Sequence, residues 1–556
     1  MVRKIKTFFF TNFWLIWAIF VALVVLLYWF AFLPENGLER FFSSDCLYLP
    51  SLYRDFFQDG YSLDGWRLNQ ATNFFPDMLL FFILNALFGG NFILAAFSFS
   101  VVQYLFIIFM FYLIFKIIKP DLHTATFAPA IFLFASYLFL LFLDGEIRET
   151  LFINRNSFHN SAFTMGVLCI YLFLKYLDTK SRKLLVSILI LSVLCGASDK
   201  LFFINFTAPV ACVAFVLFFV NVERKTLTKF LFYLAIGTLL GIALWIYFKN
   251  NSYFKLTKPP GEISLDCISQ SWKVFSEQLL KFLSRPSLRM VITYISLATY
   301  IAVIRYVLRN IIKLFKKQRS VDAMFVFQLF VLFFTPIVLL TPVLAGSYLG
   351  PDMMRYNYFP YILLPFNAVI LLGNWLNRNK LVRLLINTTL SILLLGYLLI
   401  HFSVRDFSKG LDHYFNFYPE KAMIVDSFFQ DDNLKYGVTN EYWTAKQATM
   451  FSKKGVRLYC VKKWGEPWLH VSNKYWFIEH NKGKHAHCEF TFLLWSKDVE
   501  VAPIYVELFG IDSIQPIELN DWHLYKVKPY RFIMPGTRFG VEPVIIQTPP
   551  EYHHNK

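Results

Sequence analysis

The chain has 556 residues, of which 56% are hydrophobic, 19% aromatic and only 16% charged, and its mean hydropathy is +0.48. A soluble domain is about a quarter charged, so this composition excludes a single globular body in water, a disordered chain and a disulfide scaffold. The net charge of +17 is what Lys- and Arg-rich cytoplasmic loops give a membrane protein; membrane lipid is expected as a partner, and nucleic acid is not.

The opening MVRKIK leads into a Phe/Leu/Val run with no small-residue cleavage site, which reads as a retained first span over residues 11–33. A polar stretch, 34–73, follows. PDMLLFFILNALFGGN is apolar but short, and Gly89-Gly90 interrupts it; the next run, 92–118, is long enough to span alone. Charge decides how to count. If residues 76–88 form a surface helix, then Arg3, Lys4, Lys6, Lys116, Lys119, Lys175, Lys180, Arg224, Arg305, Lys316, Arg378 and Arg383 all fall on one side, as the positive-inside rule demands. A full span there would send the later clusters outside.

Eleven spans result, beginning near Thr11, Phe92, Ala125, Ser161, Leu184, Phe202, Phe230, Met290, Ala323, Phe359 and Leu384. The N-terminus is placed inside and the C-terminus outside. A tight outside turn at Ser198-Asp199-Lys200 joins the fifth and sixth, and a longer outside loop, 249–289, joins the seventh and eighth. Beyond about Val404 the apolar runs shorten to strand length, as in AMIV, VRLYCV, YWFI, FTFLLW and WHLYKV, with turn residues between them. The expected fold class is a polytopic α-helical membrane protein over 1–403, with a first outer loop at 34–91, and a C-terminal mixed α/β extracytoplasmic domain over 404–556.

The spans are almost free of charge, whereas a transporter tends to hold ionisable groups near the membrane centre. The outside loops carry them instead: Asp45, Asp55, Asp59, Asp64 and Asp77 in the first, Asp144, Glu146, Arg148, Glu149, Arg155 and His159 in the second, then Asp199 and Lys200, then Asp352 and Arg355. The seven cysteines are scattered without CxxC spacing. Cys460 and Cys488 both fall in the C-terminal region, where a disulfide and unpaired thiols are both open readings.

Several segments resemble the GT-C superfamily of integral-membrane glycosyltransferases, including its dolichyl-phosphate-mannose mannosyltransferase-like and aminoarabinose transferase-like members. They are the acidic residue after the first span, Asp45 in FFSSDCLYLPSLYRDF; the helix and Gly-rich opening PDMLLFFILNALFGGNFILAAFSFS; GASDKLFF; and MMRYNYFPYILLP. The resemblance covers about residues 1–400. A later segment, GVTNEYWTAKQATMFSKKGVRLYCV, looks like part of uncharacterised bacterial members and carries no role. The resemblance implies transfer of a sugar from a polyprenyl-phosphate donor to a lipid, glycan or protein acceptor at the outer face of a bacterial cytoplasmic membrane.

Such a reaction needs a base for the acceptor hydroxyl and cations for the departing phosphate. Asp45 is the candidate base, and Arg355, Lys200 and Arg155 the candidate phosphate ligands. His159, Asp144 and Tyr356 are candidate accessory residues. With no covalent nucleophile evident, direct attack would invert the anomeric centre. Each residue also has a plainer reading: Asp45 as an N-cap near Tyr48, Arg355 and Lys200 as snorkelling anchors, Asp199 as a partner of Lys200, His159 as a structural histidine, and Asp55, Asp59 and Asp64 as solvated charges. Tyr442, Trp443, Trp464, Trp468 and Trp476 are either sugar-stacking or core aromatics. No cofactor is expected. A divalent metal is not favoured, because Asp45 lacks a DxD or ExD partner. A lipid or polysaccharide transporter is the alternative reading, and eleven spans are excessive for a mere anchor.

Overall fold

The computed structural model describes residues 2–143, 153–220, 222–250, 254–257, 264–284, 288–315, 321–350, 353, 356–401, 403–430, 434–478, 489–511, 516–533 and 544–546. Helices occupy the positions of the expected spans: Val2–Ala31, Phe92–Ile118, Ala128–Leu143, Asn160–Thr179, Arg182–Ser198, Ala208–Phe219, Arg224–Asn250, Leu288–Phe315, Ala323–Leu344, Phe359–Arg378 and Lys380–His401. Among the described residues, 8 helices are long and apolar enough to cross a membrane; those starting at Ala128, Arg182 and Ala208 are shorter. This is the architecture of a multi-pass membrane protein.

Local chemistry sets several boundaries. The short helix Leu79–Leu87 ends at Gly89 and Gly90, whose φ values of 62° and 90° suit glycine. Asn91 then caps the next helix, its side chain accepting from the Ile93 and Leu94 amides at 3.1 Å each. The break separates a helix that exposes Leu79, Ile83 and Leu87 along one edge from the spanning helix that comes next. Asp322 caps Ala323–Leu344 through the Phe325 amide at 2.8 Å.

The basic turns meet at one end of the bundle. Lys119 donates to Asn374 at 3.1 Å, Lys180 pairs with Glu223, and Lys116, Asp178, Glu223 and Asp322 line one cleft there. At the other end the bundle is covered by the C-terminal region. The long loop that sequence leaves without structure holds an amphipathic helix, Leu265–Ser284. Its buried Ser271 accepts from the Tyr348 amide at 3.1 Å, which seats the helix on the bundle.

Two helices approach each other closely enough to fix the surroundings of residue 200. Gly237 and Gly241 of Arg224–Asn250 face Leu189, Ser192, Val193 and Gly196 of Arg182–Ser198, with no room for a side chain at either glycine. Small residues let the two backbones approach. One further turn along the same face brings Trp245 beside residue 200.

The C-terminal region is built on a sheet of six strands: β3 (Tyr436–Thr439), β4 (Arg457–Cys460), β6 (Phe490–Ser496), β7 (Ile517–Leu519), β8 (Trp522–Ile533) and β9 (Val544–Ile546). The order is β4-β3-β6-β8-β7, with β9 also on β8; β3 runs parallel to β4 and β6, and the β8 pairings are antiparallel. Strand β6 is buried on both faces. Phe492 and Leu494 join a local core with Val425, Leu458 and Leu524, while Leu493 and Trp495 join the main core. Alternation with period two divides them, which is why FTFLLW reads as an unbroken apolar run.

A second, three-stranded sheet ties three distant parts together. Strand β1 (Trp66–Leu68) lies between β2 (Lys255–Leu256), parallel to it, and β5 (Ser472–Asn473), antiparallel to it. The helix Val404–Phe415 also crosses the first helix closely, with Gly410 against the backbone of Ala31.

Candidate active site

The first loop is gripped by the C-terminal region rather than solvated. Asp55 is 1% exposed and Asp59 5%, against the expectation of loose surface charges. Asp55 accepts from Asn473 Nδ2 at 2.8 Å and from the Trp476 indole at 3.0 and 3.1 Å. Burial pushes its carboxyl up to about 7, opposed by those hydrogen bonds. Asp59 pairs with Arg457 at 3.0 Å and Arg54 at 3.4 Å. Asp64 accepts from the Tyr475 hydroxyl at 2.7 Å. These contacts exist because buried charge is tolerated only when paired or hydrogen-bonded.

Asp45 lies in the turn between Glu35–Phe41 and Tyr48–Arg54. It does not cap the second helix: the N-cap is Leu47, with no side-chain bond, and Asp45 offers only its carbonyl to the Tyr48 amide at 3.4 Å. Its Oδ1 accepts from the Tyr442 hydroxyl at 3.3 Å.

His159 precedes the helix Asn160–Thr179 at φ 65°, two residues after Ser157 at φ 62°. Left-handed backbone is uncommon for non-glycine residues, and buried Asp77 anchors this turn by accepting from the Ser157 amide at 3.1 Å and from the Ser161 hydroxyl. Burial pushes the Asp77 carboxyl up to about 6. His159 Nδ1 lies 2.6 Å from Asp199 Oδ2, so Asp199 orients the ring and leaves Nε2 for other partners. The other Asp199 oxygen accepts from the Leu201 amide at 3.0 Å. Asp199 is thus committed to His159, and Lys200 turns instead to Trp245, with Nζ 3.4 Å from the ring centroid. Burial, and then Lys249, hold Lys200 below the usual lysine range.

Asp45, His159, Asp199, Lys200, Tyr356 and His470 line one cleft of about 410 Å³. The Tyr356 and His159 ring centroids are 5.3 Å apart. Arg155 does not line this cleft. Its guanidinium is buried over Phe158, 5.0 Å from the ring centroid, and lines a small separate cavity with Cys46. Arg355 and Asp144 lie outside the described residues, as does Cys488; Cys460 is a buried thiol whose burial pushes its pKa well up. Among the described residues, no group of three or more His, Cys, Asp or Glu is placed to hold a metal ion.

Lys446 and His470 were not legible as site residues, and Tyr442 was legible only as a sugar-stacking or core aromatic rather than as a partner of Asp45, because they come from a segment some 400 positions away from Asp45. Of the aromatic candidates, Tyr442 and Trp476 are buried, whereas Trp443, Trp464 and Trp468 are exposed.

No family model matches the chain, and no curated protein matches it. Among solved structures it is similar to ArnT from Cupriavidus metallidurans bound to undecaprenyl phosphate, at 12% identity and a TM-score of 0.40, over 92% of this chain and 98% of that one. It is also similar to the same protein in the apo state, at 12% identity and a TM-score of 0.42 over the same shares. Likeness of that order is one of overall course and assigns no residue a role.

Proposed function

We propose that the protein is a membrane glycosyltransferase that moves a sugar from a polyprenyl-phosphate donor to a hydroxyl of a lipid, glycan or protein acceptor. The supporting observation is the cleft in which Asp45, the His159–Asp199 pair, Lys200 and Tyr356 meet at the covered end of an otherwise apolar bundle. A base, an oriented imidazole and a cation on one wall match the needs of glycosyl transfer from a phosphate.

In this reading Asp45 takes the acceptor proton as the acceptor oxygen bonds to the anomeric carbon. The bond from that carbon to the phosphate oxygen breaks, and its electron pair leaves with the polyprenyl phosphate. Lys200 stabilises the phosphate charge, together with Arg355 and with His159 through Nε2. A single displacement inverts the anomeric centre. The C-terminal region, residues 404–556, lies outside the cytoplasmic membrane of a bacterium and the N-terminus inside, which puts the cleft at the outer boundary of the bilayer. The chemistry requires no metal.

The test uses the full chain in nanodiscs with a panel of undecaprenyl-phosphate monosaccharides and total membrane lipid as acceptor. At least one donor is expected to release undecaprenyl phosphate and label the lipid fraction, and Asp45→Asn to reduce that by about 10²–10⁴-fold. Full activity in a folded Asp45→Asn variant removes the base. Movement of the intact donor across a bilayer without sugar transfer favours a transporter.

A further inference from the structure

The segment 437–461, which the sequence leaves without a role, delivers one side chain to Asp45 and a second to that partner. It folds as β3, the helix Tyr442–Phe451 and β4. The spacing of Tyr442 and Lys446 puts both on one helix face, and that face is laid on the first loop. Tyr442 OH donates to Asp45 Oδ1 at 3.3 Å. Lys446 Nζ donates to Tyr442 OH and to the Ser44 carbonyl, each at 3.3 Å. Ser44 Oγ returns a bond to the Tyr442 carbonyl at 2.7 Å. Gln447 adds bonds to the Glu39 and Phe42 carbonyls at 2.6 and 3.1 Å, and Arg54 Nη1 donates to the Thr449 carbonyl at 3.0 Å, so the helix is fixed to the loop on both sides of Asp45.

Lys446 is 4% exposed. An ammonium buried with two neutral oxygens as its bonded partners is expensive, and a lysine in so enclosed a place invites a functional reason. We propose that Lys446 and Tyr442 are positioning residues for Asp45: the Lys446 ammonium occupies the phenol oxygen as donor, forces the phenol proton onto Asp45 Oδ1, and so leaves Oδ2 to take the proton of an acceptor. This rests on the transferase reading, and it makes the C-terminal region part of the catalytic device.

The arrangement is proton-gated by its own chemistry. An ammonium can only donate; a neutral amine can accept, and then the phenol proton is free to turn away from Asp45. Burial lowers Lys446 to about 7, while Asp45, Cys460 and Asp55 pull it back up. Arg54, Arg457 and His470 line the same small cavity and face it from the loop and the sheet. Burial, and then Lys446 itself, lower His470, so the two cannot readily be charged together. The Tyr442 hold on Asp45 is thus released as pH rises through the neutral range.

The experiment measures pH–rate profiles for the wild type, Lys446→Met, Lys446→Arg and Tyr442→Phe in nanodiscs with the undecaprenyl-phosphate sugar that the wild type uses. Wild-type kcat is expected to fall as pH rises through neutrality. Lys446→Met and Tyr442→Phe should lose about tenfold or more in kcat at pH 6.5, a loss of the size of one hydrogen bond to a charged group, with donor KM within about twofold. Both should lack the neutral limb, whereas Lys446→Arg, always charged, should retain activity and also lack it. Wild-type kcat and an unchanged limb in both Lys446→Met and Tyr442→Phe would overturn the proposal. A second measurement works without any sugar donor: [ε-¹³C]lysine spectra, with the Lys446 signal identified by its loss in Lys446→Met. That signal should titrate near neutrality and shift to lower pH in Asp45→Asn. A midpoint near 10, or no response to Asp45→Asn, overturns the coupling. Coupling without transfer from any donor overturns the transferase reading and leaves the Lys446–Asp45 link standing.

Discussion

Trp476 donates its indole N–H to both carboxylate oxygens of Asp55, at 3.1 and 3.0 Å, across 421 positions of sequence. The bond lies at the seam between the first loop and the C-terminal region, inside the protein. It predicts a pH signature. Asp55 is raised from 3.8 to about 7 by burial, so between those limits the folded chain binds a proton that the unfolded chain has released. Its contribution to stability is fully present below about pH 4 and is lost as pH rises through about 7, a change on the order of a few kcal/mol. In Asp55→Asn the fall in melting temperature between pH 4 and 7 should be visibly shallower; an unchanged slope would remove Asp55 as its source.

Lys446 gives the opposite slope on the alkaline side. Its folded pKa is lowered from 10.5 to about 7, so the unfolded chain binds the extra proton between those values, and stability rises with pH across that window. Lys446→Met should abolish the rise. Thermal unfolding at pH 7, 8 and 9 in a single detergent is sufficient to see it.

A pair of glycines separates close packing from conformational freedom. A Cβ at Gly65 would land on Asn473 Oδ1 and the Tyr475 ring, whereas one at Gly396, within the helix Lys380–His401, meets nothing within 4 Å. Gly65→Ala should cost about 1–3 kcal/mol through overpacking and disturb the Asn473 bond to Asp55. Gly396→Ala should be neutral or stabilise by up to about 1 kcal/mol. Equal melting temperatures for the two variants would contradict this.

Gln328 and Asn367 exchange reciprocal amide bonds of 2.7 and 2.9 Å between the helices Ala323–Leu344 and Phe359–Arg378, both fully buried. Replacing either one by Leu leaves the other unsatisfied, at about 1–3 kcal/mol. The double Leu variant should recover most of that loss, because two apolar groups of similar size need no partner. A double-mutant cycle on thermal stability checks the sign of the coupling.

Lys200→Met should raise donor KM by about tenfold or more, the scale of one charge-assisted hydrogen bond. Asp199→Asn should act chiefly on kcat, by releasing His159 Nδ1 from its 2.6 Å contact. Steady-state kinetics with one undecaprenyl-phosphate sugar distinguish the two; identical patterns would show that Lys200 and Asp199 do not play separate parts.

Long-period features were legible in the sequence and paired ones were not. Apolar runs and the alternation of basic turns locate the helices, and Gly89-Gly90 marks the end of the short helix Leu79–Leu87, because these are local. FTFLLW announces β6 for the same reason. The burial of Asp55 and Asp59 was hidden, since their partners Trp476, Asn473 and Arg457 lie some 400 residues on. The same distance conceals Lys446, which in sequence is one more lysine on a short helix. Asp199 was read with its neighbour Lys200, yet its partner is His159, brought close by helix packing. The helix Leu265–Ser284 falls inside the stretch 249–289, which the sequence reading takes as loop and gives no element.

The small sheet β2-β1-β5 draws one strand from each of three widely separated stretches of chain. A gene cut after the last long helix would therefore not yield a bundle awaiting its cover. It would leave an unzipped edge on β1, remove Asn473 and Trp476 from the enclosed carboxylate of Asp55, and leave Asp59 without Arg457. Loss of activity in such a truncate would report collapse of the joint rather than an absent substrate-binding module, so the contribution of the C-terminal region is best read from point changes on its loop-facing helix.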